Sequence, residues 1–378
     1  MFEKLFSPIK IKDMELKNRV ILPAMGTKFS GDGSEVTDKL IDYHVARVRG
    51  GSALNIVEVS SVYTPAAPKR FLSISEDKYI PGMKRLTDAI HAEGGKAGIQ
   101  LWLGALAVSS DKAAQILIPS DMPVSAEVTI PGMPKELIPV VTEAYGKAAG
   151  RAVQAGYDCI EFHCAHTYLP HSFLSGGINR RTDEYGGSLE NRMRFLVEII
   201  EDVRRKCTKD FPVIVRLSVD EMYDKIGQSG KGYNLSEGIK MAKILEEKGI
   251  DAIDVSSAGY DTFNYWLEPT TFECGWRKNL AEEVKKAVNI PVIAANLIRS
   301  PEQAEQQLQE GIQDFISLGR PHIADPYWCK KASENRENEI KRCICCLYCF
   351  ESMMNGAYTG DHGHCSVNPF VGREREKL

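Results

Sequence analysis

No apolar run in this 378-residue sequence approaches the length of a membrane span, so no transmembrane helix is expected. Charge of one sign is concentrated nowhere: 47 basic and 51 acidic residues are well mixed, leaving a net charge of −4. Without a basic stripe or a lysine-rich tail, nucleic acid is not an expected partner. The opening residues Met1-Phe2-Glu3-Lys4-Leu5 hold no apolar signal segment, and the expected compartment is the reducing cytoplasm. No G-x-G-x-x-G follows an extended run, so no dinucleotide fold is expected within the chain. The cluster Gly227-x-x-Gly230-Lys231-Gly232 does not fill that role: it does not join a strand directly to a helix. Its lysine is also not followed by Ser or Thr, so it reads as a mobile loop. Internal repeats beyond the architectural one and low-complexity tracts are missing as well. The charged run Arg373-Glu374-Arg375-Glu376-Lys377 reads as a solvated end.

Cysteine is absent before Cys159 and crowded at the other end, where six of the ten lie between Cys329 and Cys365. Four of them, Cys343, Cys346, Cys349 and Cys365, read as C-x2-C-x2-C-x15-C. Two tight pairs sharing a sulfur, plus one remote cysteine, let four thiolates surround one compact centre, which suits a [4Fe-4S] cluster. Structural zinc also takes four thiolates, but more often from two separated pairs. A disulfide framework does not fit a reducing compartment. Cys345 is an extra thiol within the run and could substitute for Cys346 or Cys343.

With 43% hydrophobic residues the chain can bury a large core. Short β-rich runs recur at Asn18–Leu22, Ala53–Val59, Lys96–Trp102, Tyr157–His163, Pro212–Ser218, Ile250–Ser256, Ile290–Ala295 and Ile312–Leu318. Helical patterns follow near 36–49, 78–93, 142–155, 188–207, 235–248, 277–288, 301–310 and 325–333, several stopped by Gly94, Gly156, Gly249 or Gly311. Eight alternating units with short connections predict an α/β fold, a (β/α)8 barrel over residues 1–335. Residues 336–378 form a C-terminal iron–sulfur-binding extension. Two insertions break the rhythm: residues 104–140, whose alternating piece Val124–Ile130 predicts a hairpin cap over the third strand, and the glycine-rich residues 164–187. Both fall where barrel enzymes place their chemistry.

Alternation along the strands sorts their side chains. Val213, Val215 and Leu217 face the helices, which leaves Arg216 and Ser218 inside. By the same rule Glu161 and His163 point inward, as do Asp254 and Ser256, and Gln100 shares a face with Trp102. A structural barrel interior prefers Val, Ile and Leu. Buried polar groups cost free energy unless satisfied. Glu161 and Asp254 could belong to a self-contained network; Gln100, Arg216 and His163, near strand carboxyl ends, point to a bound polar cofactor. The turn Leu318-Gly319-Arg320-Pro321 offers free backbone N–H groups and a guanidinium at the usual phosphate grip of such barrels.

These residues resemble the Old Yellow Enzyme superfamily, and within it the iron–sulfur branch that contains 2,4-dienoyl-CoA reductase and trimethylamine dehydrogenase. The resemblance covers roughly residues 2–372. It rests on Leu5-Phe6-Ser7-Pro8, Asn18-Arg19-Val20 with Pro23-Ala24-Met25, Gln100-Leu101-Trp102 and His163-Cys164-Ala165-His166-Thr167-Tyr168-Leu169. The block from Asn179 to Arg192 and the tail Gly319-Arg320-Pro321…Ala324-Asp325-Pro326 add to it.

By that resemblance FMN lies across the barrel mouth. Pro23, Ala24 and Met25 border its rings, Gln100 binds the pyrimidine edge, and Arg216 sits near N1 and the ribityl chain. Asn296, Gly319 and Arg320 hold the phosphate region. His163 and His166 match the pair that hydrogen-bonds a carbonyl oxygen in ene-reductases, and Tyr168 matches their proton donor. The implied activity is reduction of a C=C conjugated to a carbonyl in an enone, enoate or enoyl ester.

Several positions depart from the family. Thr167 and Val59 stand where smaller residues are common, and Gly259-Tyr260-Asp261 replaces the dienoyl reductase histidine. Asp261 and Thr167-Tyr168-Leu169-Pro170 look closer to trimethylamine dehydrogenase, so amine oxidation is the alternative activity. Against it, no cysteine follows the first strand to bond the flavin covalently, and His163 replaces the tyrosine that an amine dehydrogenase carries. A non-catalytic electron-transfer flavoprotein subunit is a further alternative, and a zinc-stabilised barrel hydrolase another. The sequence stops at Leu378, where related enzymes continue into nucleotide-binding domains. The expected partners are therefore a small unsaturated carbonyl substrate and an external donor, a flavoprotein or NAD(P)H, with FAD and NAD(P)H on a partner or on further domains. Homo-oligomerisation is left open.

Overall fold

Apolar alternation along short extended runs is what closes this sheet into a barrel. The computed structural model describes residues 2–104, 115–359 and 361–377. Its barrel strands are β1 (Val20–Leu22), β2 (Leu54–Ser61), β3 (Lys96–Trp102), β4 (Cys159–Cys164), β5 (Val213–Ser218), β6 (Ala252–Ser256), β7 (Val292–Ala294) and β8 (Phe315–Ser317). Each pairs in parallel with its neighbour, and β8 with β1 closes the ring. The intervening helices are α1 (Asp38–Arg49), α2 (Ile80–Ala92), α3 (Leu137–Gln154), α4 (Leu189–Lys206), α5 (Leu235–Glu247), α6 (Lys278–Ala287), α7 (Pro301–Gln309) and α8 (Trp328–Ser333). The (β/α)8 barrel is the fold that the alternating pattern predicts.

Ile160, Phe162, Val213, Val215, Leu217, Ile253 and Val255 pack outward into the core shared with the helices. Their alternates Cys159, Ile214 and Ala252 turn inward with Ile21, Leu54, Ile56, Ile293 and Phe315. The antiparallel hairpin Ile9–Ile11/Met14–Leu16 adds Ile11, Met14 and Leu16 to this inner core and stoppers the amino end of the barrel. Each such buried aliphatic or aromatic side chain contributes about 1.5–3 kcal/mol by leaving water. Just before alternate strands, Asp158, Asp251 and Asp314 each accept an N–H at the start of the preceding strand, from Ala97, Val213 and Val292, all at 2.8 Å. These carboxylates fix the register at the amino end.

Element ends differ from the sequence reading by up to about five residues. Helix α3 starts at Leu137 rather than 142 because Pro139 falls in its first turn, where no intrahelical donor is needed. The stop glycines Gly94, Gly156, Gly249 and Gly311 all take left-handed φ, between 72° and 86°. The expected hairpin forms as Met122–Pro123 against Thr129–Ile130; residues 105–114 of the same insertion lie outside the described residues.

Beyond β8 the chain runs through the short helix Arg320–Ala324 and α8 into the cysteine loop and then α9 (Tyr348–Thr359). The segment is tied back to the barrel. Gly363 N–H donates to Thr27 O at 3.1 Å, Asn368 Nδ2 to Ile323 O at 2.8 Å, and buried Arg47 pairs with Glu374 at 2.7 Å. Among the described residues no helix is long and apolar enough to cross a membrane.

Candidate active site at the carboxyl ends of the strands

Above the apolar stopper the inward positions become polar, and strand register sets their neighbours. Gln100 lies beside Glu161, His163 beside Arg216, and Arg216 beside Asp254. Gln100 Nε2 donates to Glu161 Oε1 at 2.6 Å, and the Arg216 guanidinium stands 3.6 Å from Asp254. Burial, then the charge of Asp254, pushes the Glu161 carboxyl well above the usual carboxylate range. Arg216 Nε and Glu161 Oε2 are buried without a hydrogen-bond partner among the described residues.

Just past strand β4 come two consecutive left-handed residues, His166 at φ 59° and Thr167 at φ 67°. The reversal gathers three rings: His163 and His166 stand edge to face with centroids 5.1 Å apart, and Tyr168 lies 4.6 Å from His163. His166 Nε2 meets Ser256 Oγ at 2.7 Å and its ring stacks on Trp266 at 4.2 Å, whereas His163 Nδ1 has no partner among the described residues. Burial first, and the Arg216 charge second, hold both imidazoles neutral, well below their ordinary range. Neutral imidazoles are hydrogen-bond donors that carry no net charge.

A cavity of about 240 Å³ opens over these rings. Pro23, Ala24, Met25, Gln100, His163, His166, Tyr168, Arg216, Gly319 and Arg320 all line it. Of the residues expected at the site, Asn296 alone among this barrel set turns its side chain away, towards Gln307 and Gln313. Its backbone takes φ 44° and that of Leu297 φ 48°, and Leu297, Ile298 and Arg299 form the wall in its place. Asp261, the residue favouring amine chemistry, accepts from Tyr223 Oη at 3.0 Å and Lys231 Nζ at 2.8 Å.

Three wall residues escaped the sequence reading. Glu268, 2% exposed, pairs with Arg277 at 3.2 Å and with Arg320 at 2.8 Å, and its carbonyl accepts from Arg320 Nη1 at 2.6 Å. Arg299 keeps Nε and Nη2 buried and unpartnered among the described residues. Its place just past β7 is where the phosphate-grip rule points, so position was its signal. Glu268 carries none, since it lies in the 257–276 loop, which has no periodicity, and Arg277 stands at the boundary between that loop and α6.

One further buried carboxyl, Glu58, sits above Ile56 on β2 and accepts the Thr27 N–H at 2.6 Å. Burial raises it from 4.5 to about 7, against the hydrogen bonds of Thr27 and the charge of Lys28. The folded chain keeps this proton up to about pH 7 while the unfolded chain releases it near 4.5, so stability is lost as pH rises between the two. Glu58→Gln should remove on the order of 3 kcal/mol of that dependence, read by denaturant unfolding at pH 5 and pH 8. Parallel pH profiles for the two proteins would refute the shift.

The cysteine loop adjoins the same cavity. Cys343, Cys346, Cys349 and Cys365 converge on a second, small concavity that Arg320 also borders. The loop takes left-handed φ at Cys345 (52°) and Leu347 (62°). Cys345, the extra thiol, faces instead the larger cavity, which Cys343 and Cys349 also touch.

Residues 4–339 match the NADH:flavin oxidoreductase / NADH oxidase family. The chain belongs to that family. The chain is 40% identical to the NADH oxidase of Thermoanaerobacter brockii, over 99% of its own length and 57% of that protein. It is 33% identical to the cinnamate reductase of Clostridium sporogenes, over 99% of its length and 59% of the relative. A solved complex of 2-naphthoyl-CoA reductase with 2-naphthoyl-CoA superimposes with a TM-score of 0.88 at 29% identity, covering 99% of this chain and 58% of that one. The chain thus spans little more than half the length of these relatives.

Proposed function

We propose that this flavin oxidoreductase holds FMN non-covalently in the larger cavity and one [4Fe-4S] cluster on Cys343, Cys346, Cys349 and Cys365, and reduces a C=C conjugated to a carbonyl. The observation that carries the reading is the convergence of two neutral imidazoles and one phenol on a single cavity wall. The donors fit a flat, phosphate-bearing cofactor. Pro23, Ala24 and Met25 offer an apolar edge, Gln100 and Arg216 polar contacts, and Gly319, Arg320 and Arg299, whose Nε and Nη2 have no partner among the described residues, a phosphate end. The Asn296 side chain is committed elsewhere, so any share it has in phosphate binding falls to its backbone.

When bound, the flavin supplies the hydride and the cluster supplies electrons singly. The chain's own groups do the rest. His163 and His166 hold the carbonyl oxygen as negative charge grows on it, and their neutrality spares them from losing a proton to it. Tyr168 gives its proton to the carbon next to the carbonyl. Arg216 favours the anionic reduced flavin. The substrate is proposed to be a small unsaturated carbonyl compound, and the donor NAD(P)H or a partner flavoprotein.

Acid or heat precipitation is expected to release the flavin into solution. Protein purified without oxygen should contain iron and acid-labile sulfide, and Cys349→Ser should lose both. Flavin that stays on the protein, or zinc without iron, overturns the cofactor assignment. An anaerobic screen of reduced protein against enones, enoates, enoyl esters and amines tests the activity.

A further inference from the structure

We propose that Tyr260 is a relay that returns the proton to Tyr168 after each turnover; the inference rests on the ene-reductase reading above. Tyr260 Oη donates to Tyr168 Oη at 3.2 Å, with the two rings edge to face at 6.0 Å. Among the described residues no other hydrogen-bond partner reaches the Tyr168 hydroxyl. That phenol is otherwise surrounded by the rings of Trp102, His163 and His166, at 5.5, 4.6 and 6.5 Å, with the charge of Arg216 nearby. Once Tyr168 has given up its proton, the Tyr260 hydroxyl is the proton carrier within hydrogen-bond reach of it among the described residues.

The contact is built rather than incidental. Tyr260 N–H donates to Thr167 Oγ1 at 3.0 Å, one residue before Tyr168. A Cβ on Gly259 would sit 2.3 Å from that same hydroxyl, so glycine is what lets the loop after β6 come this close. Thr167 N–H in turn donates to His171 Nδ1 at 2.7 Å. Two loops from different strands are therefore pinned at the point where the phenols meet. Both tyrosines are only partly buried, so water can reach the phenol pair.

The step balances simply. A C–H bond forms on the substrate as the Tyr168 O–H bond breaks, leaving a phenolate. The Tyr260 proton crosses to that phenolate, and a water proton restores Tyr260, so one proton moves and no electrons. Burial raises the Tyr168 phenol above its ordinary range, and the hydrogen bond from Tyr260, then Arg216, offsets part of that rise. Tyr260 thus acts through Tyr168 as a positioning and relay residue.

Tyr260→Phe in the complete protein keeps the ring against Trp266 and removes only the hydroxyl. Flavin content and ligand affinity should be unchanged. Steady-state substrate reduction, which needs Tyr168 reprotonated in every cycle, should slow about ten- to a hundredfold, as expected when one hydrogen bond to a charged oxygen is lost, with a larger solvent deuterium isotope effect. In a Tyr168→Phe background the same change should add nothing. An unchanged rate, or full additivity in the double variant, overturns the relay. A second readout needs no turnover. Ionisation of Tyr168, taken as the ultraviolet difference between the protein and its Tyr168→Phe variant, should move to higher pH when Tyr260 lacks its hydroxyl. If no enone reoxidises the native protein yet this shift appears, the ene-reductase reading fails and the phenol coupling stands. Absence of the shift overturns the relay whatever the substrate.

Discussion

Tyr168→Phe is expected to slow substrate-driven reoxidation of the reduced flavin by about 10²–10⁴-fold, the range of a general-acid contribution. Flavin content and flavin reduction should stay intact, because the change removes only the hydroxyl. Phenylalanine keeps the ring contact with His163 at 4.6 Å and with Trp102 at 5.5 Å, so the wall of the cavity survives the change. His163→Ala and His166→Ala act differently. They should weaken ligand binding as well as rate, since comparable oxyanion donors are worth roughly 2.7–4 kcal/mol. Stopped-flow reoxidation and ligand titration separate the two patterns. Should tertiary amines bleach the oxidised flavin while no enone reoxidises the reduced form, the proton-donor role is wrong and amine oxidation takes its place.

Glu268→Ala should destabilise the fold by about 3–5 kcal/mol, the usual result of removing one partner from a buried ion pair. The carboxylate is 2% exposed and lies between Arg277 and Arg320, and it also accepts from Trp276 Nε1 at 3.2 Å. Its removal strands two guanidiniums, of which Arg277 is itself buried. The effect should change little with salt, because burial shields the triad from screening. Denaturant unfolding measures it directly; a loss under about 1 kcal/mol, the size of an exposed pair, would mean that water reaches the triad.

The part of this molecule that repeats was legible, and the part that depends on direction was not. Alternation in Val213–Ser218 is enough to put Arg216 and Ser218 inside, because a strand permits only two sides. Eight short runs with glycine stops sufficed for the barrel by the same logic. Asn296 shows the limit. Its place past β7 was right, but left-handed backbone there sends its amide to Gln307 and Gln313 rather than into the cavity. Cysteine spacing likewise could not tell where Cys345 and Cys346 face; in the fold Cys346 borders the small concavity and Cys345 the larger cavity. Glu268 and Arg277 meet across an irregular loop, where no period relates one residue to the next.

The stopper hairpin has a consequence for how the chain reaches this state. Lys4 N–H and Leu5 N–H donate to Glu305, at separations of 301 and 300 residues, and β1 completes its ladder only with β8. The first strand therefore leaves the ribosome long before its second neighbour exists. Contacts of such high order make ring closure a late event in folding, gated by loop entropy rather than by local propensity. Until then Ile11, Met14 and Leu16 have no inner core to enter, and the unfinished barrel shows an open apolar end to its surroundings. Synthesis temperature and holding chaperones should accordingly govern the yield of this protein more than the stability of the finished barrel does.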